Sequence, residues 1–371
     1  MKAAFLLAKD PRFESTGDLT MAKLVITLAR SSYDVAVVCL SGRPEVAEAD
    51  VVRIPKTAPR PADLVNRSLR TRRSLVHTRF TSGTLVKAVD DSDADIFVAD
   101  HSYMAEAFLH SSRAHTRRHG DPILAVSTVV SETLVWKATR GVLGRVDARR
   151  IVSDELRVAR KAYTVGTYDE EEEAQFYLDH GVRRAHWLNL TLPPKPRVDI
   201  GSSGPRLVFL GDRQWSPNQE AFERLLTWWP DIARGIDGAE LRIVGSRGPG
   251  RPVPLPPGVE DLGFVDDLDA FLSTSRAMVA PIVTGGGVRV KILDAASRGM
   301  PVVGTTAAVG SLGPVLGIDG IDDKHEFVQR CRRYLLDRSA AVADGDALYR
   351  ANADRWNEGA PHRAVQEWLA P

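Results

Sequence analysis

The stretch Val279-Ala-Pro-Ile-Val-Thr-Gly-Gly-Gly-Val-Arg-Val-Lys-Ile-Leu-Asp294-Ala-Ala-Ser-Arg-Gly299-Met-Pro-Val-Val303 contains the change of pattern that fixes the fold class. An apolar, β-rich run from Ala277 to Pro281 gives way to three glycines, Gly285, Gly286 and Gly287. A helical pattern then opens near Val288 and runs to Arg298, and a second apolar run, Pro301 to Gly304, follows. Short runs that are apolar at nearly every position are the mark of strands buried on both faces. Strand, helix, strand in that order implies a parallel sheet with right-handed crossovers. Glycines between strand and helix let backbone N–H groups approach a phosphate closely, and the helix dipole favours negative charge at that end. Arg289 and Lys291 in the first turn oppose the dipole, which becomes understandable if a diphosphate sits beside them. A glycine-rich turn with solvated basic residues is the plainer reading of the same residues. No Gly-Lys-Ser/Thr follows, so the loop is not a P-loop.

The alternation extends outward in both directions. Strands are predicted at Ala3 to Ala8, Asp34 to Leu40, Asp95 to Ala99, Pro122 to Thr128 and Ala162 to Thr167 in the first half. In the second they fall at Arg206 to Leu210 and Glu240 to Val244. Met21, Leu24, Val25 and Leu28 form one helical face, as do Phe222, Leu225, Leu226 and Trp229 in a helix that Pro217 opens. Pro193-Pro194-Lys195-Pro196 and Gly201-Ser202-Ser203-Gly204-Pro205 interrupt the pattern and read as an interdomain linker. The expected organisation is an amino-terminal domain over 1–195 and a second over 204–359, with a last helix over 360–371 returning to the first. In such open sheets ligands bind beyond the carboxyl ends of the strands, so loops that follow strands should carry the chemistry.

A length of 371 residues fits two domains, and 43% hydrophobic with 26% charged residues excludes disordered and fibrous classes. The formal net charge of +1 points to no nucleic-acid partner, although the amino-terminal half is the more basic one. Cys39 and Cys331 lie far apart without ligand spacing, which suits a reducing, cytoplasmic setting and no disulfide. Met1 to Ala8 lacks a small-residue cleavage site and reads as a first core strand. Nowhere do 18 apolar residues run together, so membrane contact, if any, is expected to be peripheral and at the inner membrane face.

At the glycine loop the sequence resembles the retaining, nucleotide-sugar-dependent glycosyltransferases of family 4, which have the GT-B fold. It looks like the branch that reads Gly-Gly-Gly-x-Arg-x-Lys-Ile-Leu-Glu-Ala before a Gly-x-Pro-Val-Val stretch. Gly211-Asp-Arg-Gln-Trp215-Ser-Pro-Asn218, Leu241-Arg-Ile-Val-Gly245 and Gly258-Val-Glu-Asp-Leu-Gly263-Phe-Val265 extend the resemblance upstream. The resemblance implies two Rossmann-like, doubly wound α/β domains facing across a cleft. It also implies a donor site of Gly211, Asn218, Gly245, Val265, Gly285, Gly286, Gly287, Val288 and Asp294. Asp294 takes the place of the helix carboxylate that binds the ribose hydroxyls, with Asp for the usual Glu. Gly286 stands where the wider family has a first acid, and Asn218 where it has a lysine. Arg213 looks like the residue that grips the diphosphate, with Arg289 or Lys291 replacing the missing lysine. Val265 is placed to meet the base through its backbone.

In the first half, Asp100-His101-Ser-Tyr103 resembles the strand-end histidine that family members set beside the reacting sugar, where an imidazole donates to a hydroxyl or takes a proton near neutral pH. Gly17, in Ser15-Thr16-Gly17-Asp18, stands where the family has a loop near the donor phosphates. A helix cap by Thr16 or Asp18 accounts for it equally. Glu132 is a candidate acceptor contact. Arg67, Arg70, Arg72, Arg73, His77, Arg79 and Lys87 are either a solvated helix face or a surface for a phosphorylated lipid carrier or anionic membrane. Asp93-Ala-Asp95 precedes its strand and reads as a turn, not a metal-binding Asp-x-Asp. Glu170 to Glu173 reads as an acidic first helical turn.

The implied activity is transfer of a sugar from a UDP- or GDP-sugar to a hydroxyl of a saccharide, lipid-linked or protein acceptor. Configuration would be retained, with neither metal nor cofactor. His101, Arg213, Arg289 and Lys291 would carry the catalysis, the cations by stabilising charge on the leaving diphosphate. A non-catalytic GT-B scaffold or a sugar-nucleotide epimerase would keep the architecture. A dehydrogenase is disfavoured, because Ala4 to Gly17 lacks the closely spaced glycines of a dinucleotide fingerprint.

Overall fold

The computed structural model describes residues 1–14, 16–114, 122–128, 132–248, 253–284 and 287–371, with no side chains described at 132–146 and 171–172. The chain divides into two compact units. One is Met1–Leu190 with Gly286–Val288 and Pro361–Pro371, and the other is Thr191–Gly285 with Arg289–Ala360.

In the first unit seven parallel strands, β1 (Lys2–Leu7), β2 (Asp34–Ser41), β3 (Val51–Pro55), β4 (Ile96–Asp100), β5 (Ile123–Thr128), β6 (Thr164–Thr167) and β7 (Ala185–Trp187), form one sheet in the order β3-β2-β1-β4-β5-β6-β7. The central strands β1 and β4 are buried along almost their whole length, as their unbroken apolar runs require. In the second unit β8 (Arg206–Leu210), β9 (Glu240–Val244), β10 (Val259–Gly263), β11 (Ala277–Ala280) and β12 (Val302–Gly304) form a parallel sheet in the order β10-β9-β8-β11-β12. Here Phe209 and Trp229 are the large core groups. The Trp229 indole N–H donates to the Pro257 carbonyl at 2.9 Å, satisfying its one polar atom.

The sequence pattern missed β3, β7 and β10, which are all edge strands. One side of an edge strand faces water or a loop, so the run of apolar residues breaks: Val52 is exposed and Arg53 follows it in β3. The proline-rich stretch expected as a linker belongs to the second unit. The Lys195 and Val198 N–H groups donate to the carbonyls of Ser297 and Arg298, at 2.8 and 3.0 Å, laying this segment along the end of helix Val290–Arg298. The last helix, Ala360–Leu369, sets Trp368 against β6. There Gly166 is required, because a Cβ at that position would lie 2.8 Å from the indole. Among the described residues no helix is long and apolar enough to cross a membrane.

Candidate functional site

In the second sheet the chain leaves β8 for β9 on one side and reaches β11 on the other. The topological switch point, where open parallel sheets take ligands, therefore lies between β8 and β11. Lys291 bridges it. From the first turn of helix Val290–Arg298 its ammonium donates to the Leu210 carbonyl at the end of β8 (3.0 Å) and to Asn218 Oδ1 (2.9 Å), and it stands 5.5 Å from the Phe209 ring. All these partners are neutral. Burial pushes the Lys291 pKa down to about 8. A desolvated cation at the positive end of a helix is an unfavourable arrangement that an incoming anion relieves.

The residues around this ammonium are held tightly. Asn218 Nδ2 donates to the Asp212 carbonyl at 2.8 Å, which turns Oδ1 toward Lys291. Gly211 makes room for that amide: a Cβ there would fall 2.9 Å from Asn218 Cγ. Gly245 has φ +123°, and a Cβ on it would lie 2.2 Å from the Gly211 carbonyl oxygen, so the loops after β8 and β9 approach this closely only because both are glycine.

The other donor-side residues are disposed differently. Arg213 is buried, paired with Asp261 at 2.7 Å and laid over the Phe222 ring at 4.6 Å. Its N–H donates to the Ser246 carbonyl at 3.0 Å. In this arrangement the guanidinium ties the loop after β8 to β10 instead of standing free for a phosphate. The helix begins at Val290, not Val288, so Arg289 is its N-cap residue. The Arg289 guanidinium lies against Gly310 beyond β12, while Lys291, inside the helix, turns to β8. Gly310 also lines a cavity of about 440 Å³ with Thr306, Gly313 and Gly320. The pair of cations expected at one position is thus split to the two sides of β11.

Asp294 accepts hydrogen bonds from Lys195 (2.7 Å) and Arg298 (2.9 Å). Burial would raise its carboxyl pKa, but these bonds outweigh it and hold the group below the ordinary value. Val265 follows β10 and is half-buried beside the exposed Phe264. Val288 is half-buried, and Gly287 has φ +82°, a left-handed backbone that glycine adopts without strain. Gly285 and Gly286 lie outside the described residues.

The first sheet has its switch point between β1 and β4. His101 follows β4 there, buried, with φ +80°, its N–H donating to the Ser127 carbonyl at 2.8 Å. Its ring stacks on Tyr103, with centroids 5.0 Å apart. Nδ1 lies 3.4 Å from the Asp100 carboxylate and Nε2 4.0 Å from Asp18 Oδ2. Asp18 pairs with Lys9 at 2.6 Å. Burial would raise the Asp18 pKa, but hydrogen bonds from Lys9 and Thr16 keep it lowered.

Gly17 opens helix Gly17–Ala29, and Thr16 is its N-cap residue without a side-chain cap bond. The loop that was read as a possible phosphate site thus brings Asp18 to the histidine. Sequence reasoning treated Asp18 only as a cap and did not single out Lys9 or Asp100. Lys9 and Asp18 lie on different sides of one turn, and no periodicity marks their approach to His101. Glu132 begins helix Glu132–Lys161, and its side chain lies outside the described residues. Asp93 and Asp95 bind the ammonium and N–H of Lys2, at 2.6 and 2.8 Å, as a turn fastening the start of β1.

Residues 204–337 match the family model described as glycosyl transferases group 1, a little over a third of the chain. No curated protein sequence matches. Among solved structures, a sucrose-phosphate synthase from Thermosynechococcus elongatus superposes with a TM-score of 0.66 at 14% identity, covering 99% of this chain and 94% of that one. WaaG, a glycosyltransferase involved in lipopolysaccharide biosynthesis, gives 0.63 at 14% identity over 100% of both chains. Alr3699/HepE from Anabaena, in complex with UDP and glucose, gives 0.62 at 13% identity over 99% and 98%. The fold is GT-B, and the second unit carries a glycosyltransferase domain.

Proposed function

We propose that this chain, a glycosyltransferase with the GT-B fold, moves a sugar from a nucleotide-diphosphate sugar to a hydroxyl acceptor, with retention of configuration and without a metal. The observation that carries the reading is Lys291, a half-buried lysine whose ammonium, among the described residues, is bonded to neutral oxygens at a helix amino terminus beside a glycine loop. A diphosphate there gains a charge-assisted hydrogen bond and the helix amides together. Charge that builds on the leaving diphosphate meets the same groups, so they act most strongly in the transition state. The chain's own ammonium and helix dipole take the part a bound cation plays elsewhere. The resemblance of the glycine loop to family 4 supports retention. His101, at the switch point of the other unit, is the residue proposed to meet the reacting sugar, and a saccharide, lipid-linked or protein hydroxyl is the acceptor class.

A thermal-shift panel of UDP-glucose, UDP-N-acetylglucosamine, GDP-mannose and NAD tests the donor class, because a ligand selective for the native state raises apparent stability. UDP and glucose bound to HepE make UDP-glucose the first choice. The expected result is a shift with at least one sugar nucleotide. A shift with NAD alone would overturn the reading. Binding without turnover on any acceptor would favour a scaffold, the reading to which the buried Arg213–Asp261 pair lends itself.

Binding should also depend on pH. The free-protein pKa of Lys291 lies near 8, below the ordinary 10.5, and a diphosphate raises it again. Binding therefore takes up a proton above about pH 8. The affinity is full below that value and falls above it, by up to about tenfold per pH unit. Calorimetry from pH 7 to 9.5 reads this slope, and a flat profile would contradict it.

We further propose peripheral contact with an anionic bilayer through helix Pro61–Thr71. Its only buried residue is Ser68; Val65 and Leu69 are exposed among Arg60, Arg67, Arg70 and Arg72. The basic surface is smaller than the sequence suggests, because His77 is fully buried, Arg73 pairs with Asp154 and Lys87 with Asp91. Each surface cation contributes about 1 kcal/mol to such binding. Arg60→Glu with Arg70→Glu should lower co-sedimentation with phosphatidylglycerol vesicles by on the order of tenfold or more. Equal binding to phosphatidylcholine would rule the contact out.

A further inference from the structure

His101 is a residue other than glycine at φ +80°, ψ 144°, and such backbone persists only where its surroundings over-determine it. On one side the determinant is β5, through the Ser127 carbonyl. On the other it is the turn Ser102–Met104, and what fastens that turn is Ser102 Oγ, 3.1 Å from Nε2 of His77. His77 is fully buried. Its Nδ1 lies 2.8 Å from Ser74 Oγ, which also accepts the His77 backbone N–H at 3.3 Å. The Ser74 N–H in turn donates to the Asp154 carboxylate in helix Glu132–Lys161 at 2.7 Å. In either tautomer one ring nitrogen bonds Ser74 Oγ and the other bonds Ser102 Oγ, so His77 bridges the two hydroxyls. Burial and then the Arg73 charge hold the His77 pKa down to about 3, so the ring remains neutral at working pH and keeps one donor and one acceptor for its two partners.

We propose that His77 is a positioning residue for His101, the relay from Asp154 through Ser74 and His77 to Ser102 locking the turn that aims the His101 ring toward Asp18. The proposal rests on the reading of His101 as the residue that meets the reacting sugar. It differs from a merely structural role in requiring a bond specifically at Nε2.

Three variants separate these. Ser102→Ala removes the acceptor, and His77→Asn keeps a polar atom near Ser74 but stops short of Ser102. His77→Gln carries an amide to the Nε2 position, where it can donate to or accept from Ser102. In protein labelled with 15N-histidine, the His101 ring signals, assigned by their loss in His101→Ala, should move in Ser102→Ala and His77→Asn and return toward wild type in His77→Gln. With UDP-glucose hydrolysis as the probe reaction, the first two variants should lose on the order of 10- to 100-fold in kcat. Their KM should stay within about twofold, as for an interaction made only in the transition state. Unmoved His101 signals with an unchanged kcat, in variants that melt normally, would overturn the relay. If His101→Ala itself turns over normally, the reading of His101 falls, while the ring signals still decide whether the relay sets its position.

Discussion

Lys291→Met is expected to weaken binding of UDP-glucose by on the order of 100-fold or more, since one or two charge-assisted hydrogen bonds to a diphosphate, about 1.5 to 3 kcal/mol each, disappear. Folding should suffer little. Among the described residues the wild-type ammonium faces the Leu210 carbonyl, Asn218 Oδ1 and the Phe209 ring, all neutral, so removing it relieves a partly desolvated charge while forfeiting two hydrogen bonds. An ordinary core lysine at a helix start would behave oppositely, melting the domain with binding lost only in proportion. Calorimetric affinity and a melting curve on the same sample separate the two. A variant that binds as tightly as wild type would remove the ammonium from the donor site.

His101→Ala should leave the affinity for the sugar nucleotide near wild type, because Lys291, Asn218 and the first turn of helix Val290–Arg298 belong to the other unit, and should lower turnover by about 10²- to 10⁴-fold. The relevant features are its place at the β1/β4 switch point and its carboxylate neighbours, Asp100 at 3.4 Å and Asp18 at 4.0 Å. The alanine also removes a side chain from a backbone at φ +80°, so a moderate loss of stability is compatible with the role. Loss of donor binding together with turnover would show instead that His101 serves the fold.

The residues differ in how far the sequence revealed them. The central strands of both sheets were evident because strands buried on both faces leave continuous apolar runs. The edge strands β3, β7 and β10 leave none. Lys291 was recognisable as a cation at a helix start after glycines, but its partners were not, since Leu210 and Asn218 stand 81 and 73 residues earlier. Asn218, noted as an asparagine where a lysine was expected, turns out to hold the ammonium that comes from Lys291. Arg213 illustrates the converse: its position after β8 was correctly placed, while the Asp261 that engages it lies 48 residues on, in an edge strand the pattern did not show. His101 was marked by its position after a strand. Its left-handed backbone and the buried His77 behind Ser102 are properties of packing, to which a linear pattern is blind.

The central claim is that a nucleotide diphosphate sits at the tip of helix Val290–Arg298 against Lys291. A crystal structure of the protein with UDP-glucose tests it most directly. The account predicts a diphosphate oxygen within hydrogen-bonding distance of Lys291 Nζ and of the first amides of that helix. A diphosphate bound elsewhere, with Nζ still held only by Leu210 and Asn218, would contradict it.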